Sequence, residues 1–423
     1  DNGGSGYGVT PVTNAFALDV IATTTGASGN CPGTPTSKTT PNNTAYNEYT
    51  CESANVSLIP DAGFSDVEPT KFKGINTPSG FNDFDPSTAL PFSSEPVAAL
   101  GFGIPVNTNL RDALQAVQFP TSSVCNPSNG SYSSNADSEA CMPTLHPAEI
   151  SELFVGDLHN WDSFLVTDPT NPTGPKIPLA TMLNANGYAS LVPSDHKIQI
   201  CRRTPGSGTQ ATLQVEFLNV PCDPTALNPL SSSNPLGPVV YEGAGAGNVS
   251  QCLDDFNNGT NVSGGNAANT KRWAVGLQFT TENSLTSATH YDWSFVKIDG
   301  IAPSIQNVAS GNYPYYAEES YQYRTQTADL HNAATASDKA DTETLMAYIG
   351  NTAVTPAALA AVNTSNTYSW GQGGWLAIPT ATRSPSNPFD INNPVNTSTR
   401  SPNGHQPDTC QLPITIKSVV IDD

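Results

Sequence analysis

Lys197-Ile198-Gln199-Ile200-Cys201-Arg202-Arg203-Thr204-Pro205-Gly206-Ser207-Gly208-Thr209 joins a predicted strand over residues 197–201 to a predicted helix around residues 211–218. The bend between them carries anion chemistry. An oxyanion stripped of water needs many donors at once. Ser207 and Thr209 offer hydroxyls, the glycines let backbone N–H groups approach, and the start of the following helix adds partial positive charge. Arg203 supplies a full charge in fork geometry. Taken alone, the same run also reads as a Gly-rich turn between two elements.

A second strand end, far away in the chain, changes that weight. Residues 56–66 read as a buried strand running into a turn, with Ser65 and Asp66 at its end, where α/β proteins place functional side chains. A carboxylate accepts a hydrogen bond from a protonated phosphate. Fully deprotonated sulfate has no such proton and is repelled. The plainer reading of Asp66 is a capping or loop carboxylate.

Composition narrows the partners. The 423 residues hold 16 Lys+Arg against 37 Asp+Glu, a formal net charge of −21. Nucleic acid and anionic membrane surfaces both demand clustered cations, so neither is expected as a partner. Charged residues are only 13 %, and Pro, Gly, Asn, Ser and Thr fill the polar positions. With 37 % hydrophobic residues and 34 aromatic ones (15 Phe, 14 Tyr and 5 Trp), the chain has material for a real core. Its length suggests two lobes with elaborated loops. No run of about 18 apolar residues occurs, so no membrane span is expected. The start at Asp1-Asn2-Gly3-Gly4 reads as a processed N-terminus from which a signal peptide has gone.

Eight cysteines stand at 31, 51, 125, 141, 201, 222, 252 and 410, without CxxC or Cys/His zinc spacing. An extracytoplasmic disulfide framework accounts for them better than metal does. Cys31 with Cys51 and Cys125 with Cys141 each close a Pro/Asn/Ser-rich excursion; the other four are left unassigned.

Elsewhere, Ala15, Ala17, Leu18 and Ile21 share one face of a predicted helix over residues 14–24. Residues 96–106 form a continuous apolar run, long enough for a strand covered on both faces. A helix capped by Asn109 follows, then a helix from Pro147. Residues 221–270 read as a loop-rich excursion ending in a strand at Trp273–Phe279. Asp338–Val362 carries helical signals, and Ile414–Ile421 is a β-rich terminal run. Strands alternate with helices, so the fold class is α/β.

These residues together resemble a known family, the periplasmic phosphate-binding proteins of bacterial ABC uptake systems, which have the type II two-lobed solute-binding fold. Arg203 to Thr209 resembles the family's Arg-x-x-Gly-Ser-Gly-Thr phosphate loop, and Gly63-Phe64-Ser65-Asp66 its strand-end Gly-x-Ser-Asp. Ile150, Leu153, Phe154, Gly156, Asn160 and Trp161 resemble its helix-Gly-Trp element. Ala274-Val275-Gly276 resembles the strand returning to the first lobe, and residues 297–316 a later first-lobe segment. The resemblance spans approximately residues 1–365.

The resemblance implies a two-lobed type II periplasmic-binding-protein fold with long disulfide-bearing loops and an extra C-terminal β tail. Lobe one would comprise residues 1–105 and 275–365, lobe two 106–274, and the tail 366–423. It implies a non-enzymatic, periplasmic or secreted receptor for phosphate or a related oxyanion, closing by hinge motion, with an ABC transporter as partner. Asp66, Ser65, Arg203, Ser207, Gly208 and Thr209 would hold the ligand. Thr10, in the Ser5–Thr10 segment, corresponds loosely to the family's first anion loop. The family's Ser-Gly-Gly helix start has no counterpart; Thr34, Thr36 or Ser37 in the Cys31–Cys51 insertion would at most substitute.

No metal or cofactor is implied. Six scattered histidines show no i, i+4 pair, Asp254-Asp255 misses the EF-hand spacing, and no G-x-S-x-G elbow frames Ser207. Gly243-Ala244-Gly245-Ala246-Gly247 reads as a flexible loop. The rival reading is an extracellular structural or surface-assembly protein on the same scaffold. It would have lost its anion site and would join copies of itself by donating the C-terminal strand.

Overall fold

The computed structural model describes residues 4–23, 36–39, 45–48, 53–168, 171, 173–232, 237–282, 284, 290–325, 336–380, 382–401 and 407–415. Its class is α/β, and its two largest sheets among the described residues have five strands each. In the first, the order is Gln278–Phe279, Phe92–Gly103, Tyr316–Arg324 and Ala62–Ser65, all antiparallel, with Trp375–Ala377 also on the long strand. In the second, the order is Val239–Gly243, Gln199–Arg203, Ala274–Gly276, Pro105–Asn107 and Trp293–Phe295. Its first three strands are parallel and its last two antiparallel to their neighbours.

The apolar run at 96–106 passes from one sheet to the other. Phe92–Gly103 is buried from Val97 onward, and Pro105–Asn107 continues into the second sheet. Residues 274–279 make the return crossing. Asn107, not Asn109, caps the helix Thr108–Gln118: its Oδ1 accepts from Leu110 N at 3.3 Å. Asn109 is the second residue of the helix and bonds Asn257 instead. The helix Pro147–Val155 forms where expected and ends on Gly156 at φ 86°, the left-handed cap that glycine adopts at little cost.

Several expectations are corrected. The helix predicted over 14–24 is a short helix Thr10–Asn14 followed by a strand, Leu18–Thr23, paired with Ser53–Leu58. Val20, Ile21 and Thr23 are β-branched, and a pairing partner outweighs the weak helical face. The strand read over 56–66 is two strands, because Ile59-Pro60-Asp61 interrupts it and Pro60 removes a ladder donor.

The excursion at 221–270 contains a strand, Val239–Gly243, and a helix, Ala246–Asn258. The glycine run is therefore a strand-to-helix turn. Val249, Cys252, Leu253 and Phe256 give that helix its buried face at i, i+3, i+4 and i+7. Asp255 is buried, not solvated. Its carboxylate accepts from Thr260 Oγ1, Val262 N, and Ser263 N and Oγ at 2.6–3.0 Å.

Trp293–Phe295 belongs to the second sheet, past the boundary read at 274, and Trp375–Ala377 brings the tail into the first. Of the terminal β run, Ile414–Thr415 is described and pairs with Ser398–Thr399.

Disulfides join Cys125 to Cys141, as expected, and Cys201 to Cys252 and Cys222 to Cys410. The expected Cys31–Cys51 pair lies outside the described residues. One continuous core runs through both sheets, including Leu100, Phe102, Tyr315, Ile200, Leu213 and Val275. Phe217, on the helix that follows the glycine bend, packs edge-on against Tyr315 at 5.0 Å. Among the described residues no helix is long and apolar enough to cross a membrane.

Candidate functional site

The glycine bend and the Asp66 strand end meet where the two sheets face each other. The strand Gln199–Arg203 carries Arg203 to its C-terminal end, and the helix starts at Gly208 with Ser207 as its N-cap, Ser207 Oγ accepting from Gln210 N at 3.4 Å. From the other sheet, Ala62–Ser65 delivers Asp66. Thr209 Oγ1 donates to Asp66 Oδ2 at 3.3 Å, and the Thr209 N–H donates to the same carboxylate. The start of the helix is thus met by an anionic side chain, as its partial charge favours.

Gly208 lets the sheets approach this closely. A Cβ there would fall 2.4 Å from Ser5 Oγ and 2.5 Å from Asp66 Cβ. The residues before Thr10 complete the junction. Asp66 N donates to Ser5 Oγ at 3.2 Å, and Gly6 N donates to Gly206 O at 2.8 Å.

Arg203 lies beside Asp66 and Glu282, whose charges both favour its protonated form against the desolvation that lowers it. Its Nη2 donates to Ala244 O at 2.8 Å. Its Nε is buried and has no hydrogen-bond partner among the described residues. A buried guanidinium donor left unpaired is costly. Arg202 Nη1 and Arg400 Nε are in the same position, so this property is not peculiar to Arg203.

Of the residues singled out from the sequence, Asp66, Arg203, Ser207, Gly208 and Thr209 come together. Ser65 does not reach the cleft: its hydroxyl donates to Val67 O and accepts from Val67 N, shaping the turn. Thr10 is buried at the start of a helix, and no described contact joins it to Asp66 or Arg203. The residue of that segment that touches the site is Ser5. Thr36 and Ser37 lie on an exposed two-stranded ribbon with Ala45–Glu48, away from it, and Thr34 is outside the described residues.

Sequence reasoning missed Glu319, Glu282, Trp375 and Tyr368. The ladder between these strands ends at the Ser320–Ser65 pair, and Glu319 and Asp66 are the next residue of each strand, near enough for the charge of Asp66 to act on Glu319. Trp375 Nε1 donates to Glu319 Oε1 at 3.3 Å. Burial, and then the charge of Asp66, push Glu319 up to about 8. Burial also raises Asp66, opposed by Arg203, Thr209 and Ser5. Arg203 and the Thr209 donors oppose the rise at Asp66, whereas at Glu319 only the Trp375 donor does. Burial raises Glu282 against the pull of Arg203, and burial with the Glu282 charge pushes Tyr368 up to about 12. No short-range signal marks these four, because strand register and the return of the tail bring them in.

The arrangement sets a guanidinium, a carboxylate and the start of a helix side by side. Among the described residues there is no group of three or more His, Cys, Asp or Glu placed to hold a metal.

No protein-family model and no curated protein matches the chain. Among solved structures it is similar to an ABC-type phosphate transport receptor from Vibrio cholerae, at 12 % identity over 70 % of this chain and 75 % of that one, with a TM-score of 0.34. It is also similar to a phosphate ABC transporter substrate-binding protein from Clostridium perfringens with phosphate bound, at 16 % identity over 69 % and 75 %, with a TM-score of 0.33. A phosphate-binding protein from Stenotrophomonas maltophilia gives 14 %, 63 % and 65 %, with a TM-score of 0.31. At these scores the likeness fixes neither ligand nor mechanism.

Proposed function

We propose that the chain is a non-enzymatic receptor for a small protonated oxyanion, with phosphate as the leading candidate, bound between the sheets at Arg203. The observation that carries this reading is the convergence of the Arg203 guanidinium, the Asp66 carboxylate and the helix start at Ser207–Thr209, which come from distant parts of the chain. Arg203 provides the charge, Asp66 accepts the proton the ligand brings, and Ser207, Gly208 and Thr209 frame the site at the start of their helix. Three disulfides support a place outside the cytoplasm, periplasmic or secreted. There an ABC uptake transporter is the partner that such a receptor serves.

Calorimetric titration of the full chain with inorganic phosphate tests this. Heat from the wild type, weakened roughly tenfold to a hundredfold in Arg203→Ala, is expected, since a hydrogen bond to a charged group is worth roughly 1.5–3 kcal/mol. No heat from the wild type overturns it.

One observation favours a second reading, a structural or assembly protein whose anion site has been lost. The Asp66 carboxylate already takes two donors of Thr209, so the chain fills part of the anion position itself. Ordered polymers of the purified chain in electron micrographs, together with a silent phosphate titration, would establish that reading.

A further inference from the structure

The tail crosses both sheets. Thr409 N and Oγ1 donate to the buried Glu68 at 2.9 and 2.6 Å, and Lys71 Nζ donates to Asp408 Oδ1 at 3.1 Å. Glu68 and Lys71 follow the strand that carries Asp66, in the first sheet. The next residue, Cys410, is bonded to Cys222, which follows the helix beginning at the glycine bend and so belongs to the second. An ion pair at Asp408 and a covalent bond at Cys410, two residues on, therefore grip opposite sides.

Arg400 repeats the bridge. Its Nη2 donates to Glu216 Oε2 at 3.1 Å, on that same helix, while its backbone N donates to Glu318 Oε1 at 2.8 Å, in the first sheet. Its guanidinium lies over the Tyr316 ring at 5.2 Å, and Nη1 donates to the carbonyls of Thr409 and Gln411. Ser401 Oγ donates to Glu318 Oε2 and Ser398 Oγ meets Tyr316 OH. One buried cation thus ties both sheets to the returning strand of the tail.

We propose that the tail segments 398–401 and 407–411 form a strap that holds the two sheets together and keeps the Asp66–Thr209 contact closed. Hinge opening, which a two-lobed receptor otherwise undergoes freely, would require Arg400 to leave Glu216 or Glu318, and the disulfide limits how far the sheets part. The strap stands whether or not an oxyanion binds; if one does, the strap sets the rate at which it enters and leaves.

Amide hydrogen exchange of the full chain without ligand tests this, read at Gly6 and Thr209, whose N–H groups bridge the sheets, and at Ile200 within the second sheet as control. The wild type should protect Gly6 and Thr209. The Cys222→Ser/Cys410→Ser/Arg400→Met variant should exchange there about tenfold faster or more, with Ile200 unchanged. Should that variant not fold, Arg400→Lys, which keeps a cation but loses the fork, should show a smaller acceleration at the same two amides. Unchanged exchange in a folded variant, or wild-type amides exchanging as fast as an exposed loop, overturns the strap. Added inorganic phosphate slows exchange only if the receptor reading holds, so its failure leaves the ligand-free comparison intact.

Discussion

Glu319 and Asp66 are the residues next beyond the Ser320–Ser65 pair that ends the ladder between their strands, and the charge of Asp66 acts on Glu319. Burial, and then the charge of Asp66, disfavour the Glu319 carboxylate and raise its pKa to about 8 from an ordinary value of 4.5. The folded state then holds the Glu319 proton between pH 4.5 and 8 while the unfolded chain releases it. Its contribution to stability is therefore complete below 4.5 and is lost as pH rises through 8. A decline of Tm between pH 5 and 8 is expected of the wild type, and Glu319→Gln, neutral at every pH, should flatten it. Parallel declines in both proteins would show that Glu319 is not the proton carrier.

Asp66 gives the site its expected preference for a ligand that brings a proton. In Asp66→Asn the repulsion of a fully deprotonated anion disappears and the amide can donate to it. Sulfate, silent against the wild type, should then give measurable heat, and the preference for phosphate should shrink at least about tenfold. A variant that still rejects sulfate would place selectivity elsewhere.

Gly208 marks the closest approach between the sheets, with Ser5 and Asp66 on one side and the helix start on the other. Gly208→Ala must displace one of them. A cost of about 1–3 kcal/mol in denaturant unfolding is expected, with weakened phosphate heat. A variant as stable as wild type would mean that the junction yields freely.

How much of this was legible in the sequence depends on the range of the interaction that decides each feature. Asp66 and Arg203 could be picked out because each stands at a strand end beside a small-residue turn, and the residues that mark it are sequence neighbours. Glu319 could not, because its role arises from a register between distant strands. The strand Leu18–Thr23 was misread because Leu18 and Ile21 fit a helical face, and only pairing with Ser53–Leu58 decides against it. The helix Ala246–Asn258 was legible and was missed. Its buried residues repeat at helical spacing, but the glycines before it drew the reading toward a loop. Nothing local in the tail foretold that Arg400 would bridge Glu216 and Glu318.

Arg324 holds the segment that brings Ser5 to the site. Fully buried at the end of its strand, it donates from Nε to Val12 O at 2.8 Å and from Nη2 to Pro11 O at 3.0 Å, and pairs with Asp61 at 3.3 Å. Those carbonyls belong to the short helix Thr10–Asn14, whose apolar residues alone give it little hold on the sheet. Arg324→Met would leave Asp61 and two carbonyls without their cation, a loss of about 3–5 kcal/mol. Because Ser5 and Gly6 lie on the far side of that helix from its anchor, exchange at Gly6 should rise together with the fall in stability, while exchange at Ile200 follows global unfolding only. If Gly6 stays protected to the same degree as Ile200 in Arg324→Met, the N-terminal segment is held by its contacts with the glycine bend, and Arg324 serves the first sheet alone.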